Sequence, residues 1–202
     1  MTKQQKRGCV LTIIGLLLVL AALGLHLAEE MRDQLAGKTA EVLLQHLELN
    51  QTPVDLPVPL PDSTPRPDTP MAEKEYLGYA MIGTIRVPSV GIELPVLSSW
   101  SYELLNVAPC RYYGSIPGKN LVIMGHNYKS HFTPLHEVSD GAEVIFEDVN
   151  GMKYRYRVAQ IQQLHKNDGE LLPSEHPLIL FTCTPGGQNR RVIRCEMAED
   201  QS

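Results

Sequence analysis

The sequence predicts a mostly β domain, a closed or nearly closed barrel with short helices, preceded by a transmembrane helix and a proline-rich linker. Three observations lead there: an apolar run near the N-terminus, a proline-dense stretch after it, and a C-terminal zone of short strand-like runs. At 202 residues the chain has room for one domain plus extras. Its 43% hydrophobic and 20% charged content are near globular averages. A net charge of −5, with no basic stripe interleaved with aromatics, gives no reason to expect a nucleic-acid partner.

The first zone, residues 1–28, is a short cytoplasmic tip and an anchor. The apolar run from Gly8 to Ala28 is about 20 residues long, enough for a helix to cross the hydrocarbon core. Lys3, Lys6 and Arg7 precede it, and Glu29 and Glu30 follow it. The positive-inside rule therefore leaves the N-terminus in the cytoplasm and everything after Ala28 outside the cell membrane, as a single-pass protein. A cleaved signal peptide is the competing reading, but its apolar core would be shorter than this run.

Residues 29–75 form a stalk and spacer. Through Asn50 the pattern suits a polar helix leaving the membrane, with Met31, Leu35, Val42 and Leu47 loosely periodic and Gly37 weakening it. Thr52 to Pro70 then holds seven of the fifteen prolines, the composition of a semi-rigid extended spacer.

The third zone, residues 76–202, must be the folded domain. Strand-like runs recur at Ile82–Val87, Ile92–Leu97, Leu121–Gly125, Val144–Val149, Met152–Ala159, Leu178–Cys183 and Val192–Met197. Asn150-Gly151 reads as a hairpin turn with both residues tolerating positive φ. After it, Met152, Tyr154, Tyr156 and Val158 alternate with Lys153, Arg155 and Arg157, which is a half-buried strand. Helical signal is confined to about Tyr102–Val107 and a turn near Phe132–Val138. Seven or eight short strands with so little helix argue for the barrel.

The cysteines are Cys9, Cys110, Cys183 and Cys195. No C-x-x-C pair or closely spaced histidines accompany them, so neither a metal site nor a cofactor is expected. Cys9 falls in the apolar run, so at most one disulfide can form outside, Cys110–Cys195 being one arrangement. At least one external thiol is then free. Cys183 ends an apolar strand and is followed by Thr184-Pro185-Gly186-Gly187, which places it on the barrel rim. An inert buried cysteine is the plain alternative.

His126 repeats that design at the end of Leu121-Val-Ile-Met-Gly. A thiol nucleophile needs an imidazole nearby, because the thiolate is the reactive species. His131, His136, His165 and His176 sit in loop-like contexts and suggest only surface positions. Arg190 follows Cys183 by seven residues and opens the next strand, where a guanidinium can steady a developing oxyanion. The neighbouring Arg191 is the alternative, and a one-residue slip would turn the side chain to the other face.

Gly125-His126-Asn127, Thr182-Cys183 and an arginine opening the following strand together resemble the signature of bacterial sortases. The resemblance runs from Ile82-Gly-Thr-Ile-Arg-Val-Pro to Arg190-Arg-Val-Ile-Arg, with Tyr112-Tyr-Gly-Ser and Gly141-Ala-Glu-Val in comparable places. It implies an eight-stranded barrel and a cysteine transpeptidase. Cys183 would attack an LPxTG-like sorting signal of a secreted surface protein, His126 would protonate the leaving amine, and Arg190 would steady the oxyanion. An amine on the cell wall or on a pilin subunit would resolve the thioacyl enzyme.

Departures bear on subclass. No second hydrophobic segment follows the domain, the spacer lacks an aspartate–aromatic lid motif, and the loop Leu164–Pro177 is too short for the long class B helix. Asn127 after His126 nevertheless resembles class B, and no acidic cluster matches a class A calcium site. A Cys–Arg phosphatase would need five residues, not six, between the two side chains and then a helix. An L,D-transpeptidase would need a Ser-His-Gly-Cys run. A non-enzymatic, membrane-anchored adhesin-like β-domain is the rival from another class.

Overall fold

The computed structural model describes residues 3–49, 70–166 and 175–198. Most of the proline-rich spacer and much of the loop Leu164–Pro177 lie outside the described residues. The chain divides into two compact units, Met1–Leu35 and Ala36–Ser202.

Helix α1 spans Lys3–Leu49. In the first unit its described side chains are almost all exposed, Leu16, Leu17, Leu18 and Leu25 among them. The helical stretch Ile13–Leu47 is long and apolar enough to cross a membrane by length and composition. In the second unit α1 behaves differently. Ala36, Ala40, Leu43 and Leu47 are buried, a stripe at helical spacing, and the last three join the main core. Of the loosely periodic Met31, Leu35, Val42 and Leu47, Leu47 is buried and the other three are exposed. The working stripe is half alanine, which is why it was not visible as an apolar face.

The strands are β1 (Lys74–Tyr76), β2 (Tyr79–Val87), β3 (Ile92–Leu97), β4 (Cys110–Tyr113), β5 (Leu121–Met124), β6 (Glu143–Asp148), β7 (Lys153–His165), β8 (Leu178–Cys183) and β9 (Asn189–Met197). Their order is β1-β2-β3-β4-β5-β8-β9-β7-β6, and β6 pairs back onto β2. Eight strands, β2 to β9, therefore close a ring, and β1 adds a short hairpin arm to β2. Arg86 on β2 spans the closure, paired with the buried Glu147 on β6 and with Glu93 on β3. Closure leaves the ring without a free edge.

Two strands escaped the sequence reading. β1 has three residues, and β4 joins β3 through a single parallel partner pair, Leu97 and Cys110. β7 runs to His165, six residues beyond the alternating run that marks its start. Asn150-Gly151 does turn β6 back into β7 as a hairpin, and of the two residues only Gly151 has positive φ. The loop is wider than a two-residue turn, and the Asp148 carboxylate accepts the amides of Asn150 and Met152 at 2.9 and 3.0 Å.

The core lies inside the ring. On β8, Leu178 and Leu180 face the main cluster, while Ile179 and Phe181 join a second cluster with Val122 and Val192. β8 is thus covered on both faces, which explains its unbroken apolar run. A helix α2 (Tyr102–Leu105) lies between β3 and β4, capped by Ser101 accepting from the Leu104 amide at 3.1 Å.

Gly37 on α1 meets the 126–132 segment so closely that a Cβ there would lie 2.9 Å from Cβ of Ser130. Gly37→Leu should overpack this contact and destabilise the chain by about 1–2 kcal/mol, despite the better helix propensity of leucine. Denaturant unfolding of the full chain in detergent, followed through its one tryptophan, measures the difference.

Candidate active site

Three strand ends build the site. β8 pairs antiparallel with β9 so that Cys183 and Arg190 are direct partners, as are Thr182 and Arg191 one step earlier. β8 also pairs parallel with β5, Phe181 opposite Met124. The Gly125 amide continues that ladder by donating to the Phe181 carbonyl at 3.1 Å. Cys183 lies two residues beyond Phe181, and His126 two residues beyond Met124. The sequence-predicted residues Cys183, His126 and Arg190 therefore leave the sheet at one common end of three adjacent strands.

Strand alternation separates the two arginines. Arg190 shares a face with Cys183 and Phe181, and its guanidinium carbon lies 5.8 Å from the centre of the Phe181 ring. Arg191 turns the other way. Its Nε donates to the Leu135 carbonyl at 3.0 Å and its Nη2 to the Val138 carbonyl at 3.3 Å, fastening the 3-10 turn Thr133–Glu137.

Burial separates the three cysteines of the folded unit. Cys110 and Cys195 are buried, and burial pushes both thiols up to about 12. Neither forms a disulfide, so the pairing considered from sequence is absent. Cys183 is exposed. Only an accessible thiol can reach a substrate, and the two buried ones act as small apolar side chains.

His126 is half-buried, and burial alone lowers its pKa below the ordinary 6.5. The neutral ring is thus its dominant form at neutral pH. Its Nδ1 is buried without a hydrogen-bond partner among the described residues. Gly125 before it is dictated by close approach, since a Cβ there would stand 2.4 Å from the Phe132 ring. The chain then folds back on itself, the Phe132 amide donating to the His126 carbonyl at 3.2 Å.

Some features of the site were not foreseen. Tyr128 stacks on His126 with ring centroids 3.9 Å apart and planes at 10°. His131, expected at the surface, is buried, with its ring 5.4 Å from Tyr128. From Phe181 a chain of aromatic contacts runs outward to Tyr112 at 5.3 Å and on to Trp100 at 5.4 Å. An aromatic residue two positions past a loop histidine is too common a pattern to mark a stack. Among the described residues no cluster of three His, Cys, Asp or Glu could hold a metal ion.

With this geometry in place, the comparisons agree on one class. The family model described as Sortase domain matches residues 85–198, more than half of the chain, and the chain belongs to the sortase family. It is 29% identical over 118 residues to sortase A of Bacillus anthracis. That match covers 55% of this chain and 56% of the relative, so only about half of the relative's length is spanned. Solved structures share the fold. The Clostridium perfringens sortase D5 transpeptidase aligns with a TM-score of 0.53 at 18% identity, covering 59% of this chain and 79% of that one. The complex of Streptococcus agalactiae sortase C1 with MTSET aligns at 0.54 and 24%, covering 60% and 71%.

The two arginines should respond differently to truncation. Arg191→Ala should cost about 1–3 kcal/mol, because two carbonyls lose a charged donor. Arg190→Ala should stay within about 1 kcal/mol of wild type, its ring contact being a partly exposed one. Denaturation curves of the two variants provide the comparison.

Proposed function

We propose that the protein is a membrane-anchored sortase-type cysteine transpeptidase with Cys183 as nucleophile, His126 as proton donor and Arg190 as oxyanion or substrate-backbone donor. The observation that carries this reading is the β8 register, with exposed Cys183 opposite Arg190 on one side and the β5–His126 strand end on the other.

In the proposed reaction His126 takes the Cys183 thiol proton, and the resulting thiolate attacks the threonine carbonyl carbon of an LPxTG-like sorting signal. The tetrahedral oxyanion is held by the Arg190 guanidinium. The C–N bond breaks, the departing amine takes a proton from His126, and a thioester remains on Cys183. An amine of the cell wall or of a pilin subunit then attacks the thioester, gives its proton to His126 and releases Cys183. Acceptor and sorting signal are both peptidic, and the reading calls for no cofactor.

Residues 1–28 anchor the chain in the cell membrane with the N-terminus in the cytoplasm, and the domain of residues 76–202 does its chemistry outside. The apolar length of α1 and the basic residues before it support this arrangement. Residues 29–75 are the stalk and spacer of the same arrangement, with α1 residues 36–47 packed on the core.

The test uses the full chain in detergent with a panel of sorting peptides and an amine acceptor. Cys183→Ala and His126→Ala should each abolish transfer while unfolding as wild type does. Arg190→Ala should lose about 10²-fold or more, and Arg190→Lys should not restore it. Transfer that survives Cys183→Ala, or damage from Arg191→Ala alone at unchanged stability, contradicts the assignment. A chain inert to every peptide, with Cys183 unreactive to alkylation, supports a binding domain instead.

A further inference from the structure

A catalytic imidazole needs a fixed plane as well as a partner, and the second ring nitrogen normally secures it by hydrogen bonding to a carboxylate or carbonyl. His126 lacks that device, because Nδ1 is buried with no hydrogen-bond partner among the described residues. No carboxylate contributes to its titration, which burial alone displaces. Among the described residues, the contact that defines the plane of the ring is the Tyr128 stack, 3.9 Å between centroids and 10° from parallel.

Tyr128 is itself held at both ends. Its hydroxyl donates to Oδ1 of Asn106 at 2.8 Å, and the Asn106 amide is oriented by its own Nδ2 donating to the Tyr102 carbonyl at 3.0 Å. Asn106 closes α2, so the phenol is tied to an element that Ser101 caps and the buried Leu105 seats. At the other end the Tyr128 carbonyl accepts the amides of His131 and Thr133 at 3.0 and 3.1 Å, and Asn127 accepts from the Thr133 hydroxyl at 2.9 Å. The backbone on either side of the stack is thereby fixed.

We propose that Tyr128 is a positioning residue for His126: its ring, tied to α2 through Asn106, lies flat on the imidazole and sets the orientation in which His126 exchanges a proton at the Cys183 site. This rests on the transpeptidase reading for the reaction but not for the stack. The flat face does the positioning, and the hydroxyl supplies a secondary tether. Phenylalanine should therefore substitute for tyrosine, whereas leucine, apolar but smaller and without a flat face, should not.

The experiment compares wild type, Tyr128→Phe and Tyr128→Leu as full chains in detergent, each 13C-labelled at histidine Cε1 and assigned with His126→Ala. Wild type and Tyr128→Phe should show the His126 Hε1 proton displaced upfield by the ring current of the stacked aromatic. Tyr128→Leu should return it to the ordinary position. With a sorting peptide, Tyr128→Leu should lose about 10- to 100-fold in kcat with little change in KM, the signature of a misplaced catalytic group. Tyr128→Phe should stay within a few-fold. Equal thermal unfolding of the variants separates this from loss of fold. An undisplaced His126 resonance in wild type, or wild-type kcat in Tyr128→Leu, overturns the proposal. A wild-type chain that transfers no peptide counts against the transpeptidase reading, while its His126 resonance still decides whether the stack exists.

Discussion

The site depends on the register of β8 between its two neighbours. β8 is covered on both faces, by the barrel core on one side and by the second apolar cluster on the other. Its backbone is paired on both edges, parallel to β5 and antiparallel to β9. A slip of one residue would send Leu180 and Phe181 to the wrong clusters and turn Cys183 to the other face. Packing of Leu178 to Phe181 is therefore what places Cys183 outside the ring, opposite Arg190. The geometry at the rim is anchored by apolar residues buried beneath it.

The same alternation assigns different work to side chains of the same type. Arg190 and Arg191 are adjacent, yet one stands over Phe181 beside Cys183 and the other fastens two carbonyls of the 3-10 turn behind the His126 loop. That turn begins next to Phe132, whose ring leaves no room for a side chain at position 125. Arg191 and Gly125 thus both act on the loop that carries His126, one by hydrogen bonding and one by close packing. Likewise the three thiols differ in burial rather than in sequence context. Cys110 and Cys195 are interior groups, and only Cys183 ends a strand in the open.

Much of this was legible in the chain. The period-two pattern of β7 and the apolar runs of β5 and β8 announced a β domain, and the membrane-length apolar run announced a long helix. The placement of Cys183, His126 and Arg190 at strand ends followed from where those runs stop. What was hidden has physical reasons. β4 is held by one partner pair on one side and reads as Cys-Arg-Tyr-Tyr, with no alternation to detect. The packing face of α1 uses Ala36 and Ala40, which carry little apolar signal. The Asn150-Gly151 turn was widened by the Asp148 side chain, a contact that dipeptide preference does not report. The Tyr128 stack is tertiary geometry with no sequence periodicity behind it.

The central claim is that Cys183 becomes acylated, and the most direct measurement is the intact mass of the full chain mixed with a sorting peptide and no acceptor amine. The account predicts an added mass equal to the peptide up to its threonine, mapped by proteolysis to the fragment holding Cys183 and discharged by hydroxylamine. Peptide cleavage without any adduct on Cys183, or an adduct on Cys110 or Cys195, would contradict it.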